Sequence, residues 1–318
     1  GNKAPILSFC KVKSDEHLRI LTGISCLQLI RNIISEFSEL RLRYSPRGYG
    51  LNDCDVVLLT MIKLYHNTNF SFLSVLFGIH RTTVSNIIKS AICILAEILG
   101  TAVFFPSKES VLENLTVYFD KFKNTRIVLD CTEVALERPG DLVSRILTYS
   151  HYKKTYTAKV LIGCTPSGFI SFVSQAFGGR ASDTHVTKES GVLSMCLPYT
   201  DHVMTDKGFL IEHQCDDARV RLIRPPFLKQ RKQMHESEAL ANQKIARARV
   251  HVERAIQRIK AYKILQQKFP TQLLPVFDNV VRLLCGLVNL SRPILSEERF
   301  LQPLSLNHPV QNNTYHSP

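Results

Sequence analysis

The sequence predicts an α/β chain with an all-α module in front, a hairpin-rich mixed sheet in the middle and a long basic helix behind it. Three observations carry that expectation. Apolar residues recur at three- and four-residue steps from residue 52 to residue 100. Beyond Phe104-Phe105-Pro106 they alternate along short runs separated by turn residues. From residue 235 to residue 262 the helical step returns, in a segment loaded with Lys and Arg.

Each element follows from local chemistry. Residues 20–42 are helically spaced and read as one helix or two short ones. Tyr44-Ser45-Pro46-Arg47-Gly48 has the composition of a loop. Asn52 or Asp53 caps a helix reaching about Tyr65, with Val56, Leu59, Met61, Ile62 and Leu64 inward. Asn67-Thr68-Asn69 ends it, residues 70–77 form a short second helix, and Gly78 turns the chain. Residues 80–99 form a third helix, with Val84, Ile87, Ile88, Ala91, Ile92 and Leu95 on one face. That succession is a helix-turn-helix. Five strands are then expected, at residues 126–132, 156–163, 169–176, 202–206 and 220–223. Thr165-Pro166-Ser167-Gly168 is a tight turn between the second and third, and Gly178-Gly179 ends the third. Residues 184–197, 235–262 and 279–290 read as helices. The expected division is an N-terminal helical segment (1–50), a helix-turn-helix module (51–105), a sheet domain (106–292) and a flexible tail (293–318).

Forty Lys and Arg against 27 Asp and Glu give a net charge of +13, which biases the chain toward a polyanionic partner. Hydrophobic content of 45% and charged content of 21% exclude a disordered or fibrous chain. No run reaches the roughly 18 uncharged apolar residues of a membrane span, so no membrane partner is expected. The nearest stretch, residues 90–105, is interrupted by Glu97 and Gly100. Nine cysteines without a C-x-x-C pair read as reduced, buried thiols rather than a zinc site. The chain opens on Gly1, as a fragment or processed chain would, and no signal peptide is visible.

Two aspartates follow apolar runs, in Ile127-Val128-Leu129-Asp130 and His202-Val203-Met204-Thr205-Asp206. Each is expected at a strand end, on the rim of the sheet. Neighbouring strands would make the two carboxylates converge and demand a cation, usually a divalent metal bound through oxygen. The plainer reading of each is a turn or cap aspartate. Glu253 is the third acidic candidate. On a helical wheel Ile245, Val252, Ile256 and Ile259 form a stripe about 60–120° to one side of it, which should pack on the sheet. Arg249 and Lys260 lie on Glu253's own side. Arg247, His251, Arg254 and Arg258 fall about 100–180° to the other side and are expected to face away from the stripe. The plainer reading of Glu253 is a surface pair with Arg249 worth roughly 0.3 kcal/mol.

The surrounding words are Val128-Leu129-Asp130-Cys131-Thr132-Glu133, Tyr149-Ser150-His151-Tyr152-Lys153 and Ala158-Lys159-Val160-Leu161-Ile162-Gly163. Gly178-Gly179-Arg180-Ala181-Ser182-Asp183, Asp206-Lys207-Gly208-Phe209, Pro225-Pro226-Phe227 and Val252-Glu253-Arg254-Ala255-Ile256 follow in order. Together they resemble the DDE-superfamily endonuclease domain of Harbinger-type transposases and their domesticated nuclease relatives, over about residues 126–290. Residues 52–100 resemble the helix-turn-helix that precedes this domain. The resemblance implies a ribonuclease-H-like fold, a mixed five-stranded sheet flanked by helices in which strands one and four are adjacent. It implies that Asp130, Asp206 and Glu253 are catalytic and bind Mg2+ or Mn2+. Water would then cleave the phosphodiester, and the freed 3′-OH would attack target DNA, with no covalent protein intermediate. Where the family usually has Trp this chain keeps an aromatic, Tyr149. The implied partners are duplex DNA (transposon ends and target), a separate DNA-binding protein and further copies of the chain on DNA, in the nucleus. Two alternatives stay open: a domesticated relative that binds DNA or protein without transposing, and a nuclease acting on RNA or hybrids.

Other residues are weighed beside these. Glu133 alternates to the strand face opposite Asp130. Asp183 reads as a helix cap rather than a ligand. Lys153, Lys154 and Lys207 lie near the expected site, where Lys153 and Lys207 are candidates for phosphate contacts. Arg81, Thr82, Thr83, Ser85 and Asn86 open the third helix of the helix-turn-helix, the end from which such helices reach bases. Residues 229–263 hold ten Lys and Arg against three Glu, over half of the chain's net charge. That concentration marks Arg247, Arg254 and Arg258 as candidates for backbone contacts. Lys229-Gln230-Arg231-Lys232 is a short basic run of the nuclear-import type.

Overall fold

The computed structural model describes residues 5–44, 49–225 and 236–291. The expected loop at 45–48, Pro226 and Phe227, the basic run at 229–232, the helix start at 235 and the tail from 293 lie outside them.

The region expected as one or two helices is two: α1 (Asp15–Thr22), capped by Ser14, and α2 (Leu27–Tyr44). Asn52 caps α3 (Asp53–His66) by accepting from the Asp55 N–H. The Asp55 carboxylate, buried, then accepts from Ser8 Oγ (3.0 Å) and the Phe9 N–H (2.6 Å), tying the N-terminal segment to α3. Next come α4 (Phe70–Phe77), the turn at Gly78 (φ +68°) and α5 (Arg81–Gly100), as the spacing predicts. Glycine adopts that left-handed turn without the clash a Cβ would bring.

The sheet contains β1 (Thr125–Ala135), β2 (Tyr149–Ser150), β3 (Thr155–Cys164), β4 (Ile170–Val173), β5 (Phe177–Gly178), β6 (His202–Met204) and β7 (Arg221–Ile223). Its order is β2-β3-β1-β6-β7, with β4 and β5 also along β3. β3 runs antiparallel to β1, whereas β6 is parallel to β1 and β7 parallel to β6. The five expected strands are present, and the first and fourth of them, β1 and β6, are neighbours. The two-residue strands β2 and β5 are too short to carry a period. β1 is longer than expected, which moves Asp130 from the strand end into the strand.

The remaining helices are α6 (Lys108–Glu113), α7 (Leu142–Thr148), α8 (Asp183–Ser190), α9 (Glu212–Asp217), α10 (Glu236–Lys260), α11 (Lys263–Gln266) and α12 (Phe277–Asn289). The helix expected at 184–197 is α8 followed by a separate 3-10 turn at Val192–Met195. Ser182, not Asp183, caps α8, accepting from the His185 N–H. Alternation along β1 builds two cores. Ile127 and Leu129 face Leu161, Val186 and Phe209. Val128 and Val134 face the other way, into the core that holds Val252, Ala255 and Ile259 of α10 and also the buried residues of α3 and α5. By length and composition Arg81–Gly100 and Thr271–Asn289 would each cross a membrane, which the uncharged-run criterion did not pick out. More than half of each is buried here, because α5 and α12 pack on one another. All nine cysteines are free, but Cys10, Cys26 and Cys93 are exposed, against the expectation of uniformly buried thiols.

At the end of β5 the chain passes so close to β3 that a Cβ on Gly179 would overlap Thr157 Oγ1 and crowd the Thr148 carbonyl. The Gly179 N–H meanwhile donates to Thr157 O at 2.9 Å, so the backbone has little room to retreat. Gly179→Ala is therefore expected to lower unfolding stability by about 1–3 kcal/mol, the usual cost of overpacking. An unchanged denaturant midpoint would show that the turn relaxes freely.

Candidate active site

Asp130 sits on β1, half-buried, and shares its strand face with Val128 and Val134. The parallel register pairs Val128 with Met204, so two residues further on Asp206 stands level with Asp130. Asp206 lies just past β6. The preceding Thr205 N–H still bonds Ile223 O at 3.0 Å, and Asp206 Oδ1 accepts from the Phe209 N–H at 3.0 Å, fixing the exit turn. Glu253 comes from α10, with its side chain half exposed, and Arg249 one turn earlier reaches within 3.7 Å of its Oε1.

The electrostatic surroundings of Asp130 include both other acids. Burial pushes the Asp130 carboxyl up to about 6, Arg249 pulls it back, and the charges of Asp206 and Glu253 push it further up. Such a response is chiefly that of a buried acid, with the like charges of its neighbours adding to it. Arg249, only 14% exposed at its side chain, is the cation that offsets Asp130 most, and it pairs with Glu253 as well. The carboxylates supply the hard oxygen donors that Mg2+ or Mn2+ takes. Among the described residues, however, no three acidic, His or Cys side chains stand close enough together to form a ready cage. The donors fit a divalent ion in kind and in strand placement, not yet as a closed shell.

Three lysines lie on or near the elements that carry the acids. Lys260 Nζ donates to Glu133 O at 3.0 Å. Lys153 is exposed on the turn after β2, over the Tyr152 ring at 4.9 Å, and its charge reaches Lys260. Lys207 is exposed beside Asp206, with its carbonyl taken by Arg224 Nη1 at 3.2 Å. On the opposite face of β1 lies a second polar cluster. Buried Lys159 donates to Asp183 Oδ1 (3.0 Å) and Ala181 O (2.8 Å) and lies 3.9 Å from Glu133 Oε1. Thr157 Oγ1 donates to Glu133 Oε2 at 2.7 Å. Glu133 and Asp183 are thus held in a structural ion cluster facing away from Asp130. Sequence reasoning did not single out Lys159, though a lysine inside an apolar strand signals a buried charge that must be paired.

The basic helix departs from its expected face. Arg247 is exposed, but Arg254 and Arg258 are half-buried, and burial lowers the Arg258 guanidinium pKa. His251, expected on the outer side, is buried between Tyr118 and Phe119 at ring distances of 5.4 and 6.0 Å. The cause is packing on two sides. Ala248 and Ala255 are buried too, which widens the buried arc beyond the isoleucine and valine stripe, and α10 meets the 3-10 turn at Val117–Phe119 as well as β1, β3 and α12. At the start of α5, Arg81, Thr82 and Asn86 are exposed and Thr83 half-buried, with His80 Nδ1 and Thr82 Oγ1 sharing a hydrogen bond of 2.8 Å.

A mixed sheet with one aspartate on β1 and another just past the adjacent parallel strand β6, and with a helix-turn-helix packed into the same core, defines the class: a carboxylate-site α/β protein with a helix-turn-helix module. Comparison with known families makes it specific. The model described as DDE superfamily endonuclease matches residues 129–289, and one described as helix-turn-helix of DDE superfamily endonuclease matches residues 54–101. The chain belongs to the DDE superfamily endonuclease family. No curated protein matches it.

Proposed function

We propose that the chain is a divalent-metal-dependent DNA endonuclease of the Harbinger transposase type, which cuts duplex DNA and joins the freed end to a target. The observation that supports it most is the placement of Asp130 on β1 and of Asp206 just past the adjacent parallel strand β6, with the charges of Asp206 and of Glu253 from α10 both bearing on the Asp130 carboxyl. These three would hold Mg2+ or Mn2+, which when bound activates water and steadies the leaving oxygen of a phosphodiester. β1 keeps Asp130 rigid, the exit turn orients Asp206, and Glu253 on α10 is free enough to adjust. Arg249 compensates the carboxylate charge before the ion enters. Lys153 and Lys207 stand where the incoming phosphate backbone passes, and the first turn of α5 offers Arg81, Thr82, Thr83 and Asn86 to the duplex. The reading includes a nuclear location, action as a homo-oligomer on DNA and help from a separate DNA-binding protein. It also keeps the helix-turn-helix at 51–105 and the catalytic domain at 106–292 as functional units.

Incubating the pure chain with Mg2+ or Mn2+ and labelled duplex, hybrid and single-stranded substrates tests this directly. Metal-dependent nicking of the duplex is expected. Binding without cleavage of any substrate would point to a DNA-binding relative, and preference for the hybrid to a ribonuclease.

A further inference from the structure

Lys260 ties α10 to the central strand. Its Nζ donates to Glu133 O across 127 positions of sequence, at 3.0 Å. Seven positions separate Glu253 from Lys260, and three separate Asp130 from Glu133. Seven helical residues rise about 10.5 Å and three strand residues about 10 Å, so the two intervals match. Where α10 follows the line of β1, on which it packs, a helix pinned with Lys260 at Glu133 carries Glu253 toward Asp130. The field of the site agrees with that alignment: Asp130 and Glu133 both favour the Lys260 cation, against burial and the repulsion of Lys153. Glu253 and Arg249, two and three turns back, both act on Asp130.

We propose that Lys260 is a positioning residue, which fixes the register of α10 on β1 and so delivers Glu253 to the carboxylate site. The inference rests on the reading of Asp130, Asp206 and Glu253 as metal ligands. It assigns Lys260 no contact with substrate. A pinning role and a purely electrostatic role have opposite signs in metal binding. Removing a nearby positive charge favours a divalent cation by Coulomb's law. Losing the pin misplaces a ligand and weakens the ion, typically by about tenfold or more for a residue that orients a ligand.

The test is Mn2+ affinity of the full chain by titration calorimetry, without DNA, for the wild type and for Glu253→Gln, Lys260→Met and Lys260→Arg. Thermal melts check the fold of each. Glu253→Gln should weaken Mn2+ binding. Lys260→Met should weaken it by about tenfold, and Lys260→Arg, which retains charge and donors, should recover most of that loss. In nicking assays Lys260→Met should lower kcat while leaving the KM for DNA near the wild-type value. Tighter or unchanged Mn2+ binding in Lys260→Met, with Glu253→Gln impaired, overturns the positioning role alone. The same holds if Lys260→Arg is as defective as Lys260→Met, or if Lys260→Met fails to fold and Lys260→Arg still binds poorly. Unchanged binding in Glu253→Gln overturns the ligand assignment itself, and the role of Lys260 with it.

Discussion

Asp130→Asn is expected to abolish metal-dependent nicking while leaving the fold and most DNA affinity intact. The replacement is nearly isosteric, so β1 keeps its pairing with β3 and β6. What it removes is one ligand charge. A bound divalent ion supplies several kcal/mol of transition-state stabilisation, and a loss of about 4 kcal/mol corresponds to roughly 10³-fold in rate. Nicking by the variant at a rate within tenfold of wild type would move the catalytic carboxylates elsewhere. A second readout needs no activity. Burial and the neighbouring carboxylates raise the Asp130 carboxyl from 3.8 to about 6 despite Arg249. Between those values the folded, metal-free protein holds a proton that the unfolded chain has released. The contribution favouring the folded state is therefore complete below about pH 4 and lost as pH rises through about 6. Asn does not titrate. In the absence of metal, the variant should gain stability relative to wild type across that window and keep the gain above it. Parallel stability curves from pH 4 to pH 7 would show that the Asp130 carboxyl is not raised by its surroundings.

The helix-turn-helix was legible because its signals are local. Asn52, Asn69 and His80 each cap the helix that follows, and Gly78 closes the turn, so boundaries could be read to within a residue or two. The five longer strands were legible from alternation. Helices of fewer than eight residues were not: α6, α7, α9 and α11 have four to seven residues, too few to display a period. At the site, the acidic residues could be found from sequence, but their companions could not be ranked. Arg249 and Lys260 were placed on Glu253's side of the helix by the wheel alone. Which of them pairs with a carboxylate and which reaches a strand carbonyl depends on how α10 lies on β1, a tertiary fact. His251 fails for the same reason. A wheel drawn from large apolar residues underestimates the buried arc when alanines lie beside the stripe and admit a second packing surface.

That correction reshapes the expected result for the basic face of α10. Arg247 is exposed, whereas Arg254 and Arg258 are half-buried, with Tyr262 acting on Arg258. On the helical wheel all three fall on the side away from Glu253, and they are expected to contact DNA phosphates rather than bases. Phosphate contacts release condensed counterions, so each lost contact should lower the log–log salt slope by about 0.9 on duplex DNA. Changing all three to Ala should weaken specific and nonspecific duplexes by similar factors, because phosphate carries no sequence. The stability cost divides unevenly. Arg247→Ala removes an exposed side chain and should shift stability by no more than about 0.5 kcal/mol. Arg254→Ala and Arg258→Ala remove half-buried side chains and should cost more. Arg247→Ala is thus the clean probe of charge. A salt slope unchanged in Arg247→Ala and in the triple variant would show this face to be merely solvated. Loss confined to one sequence would make it a reader of bases.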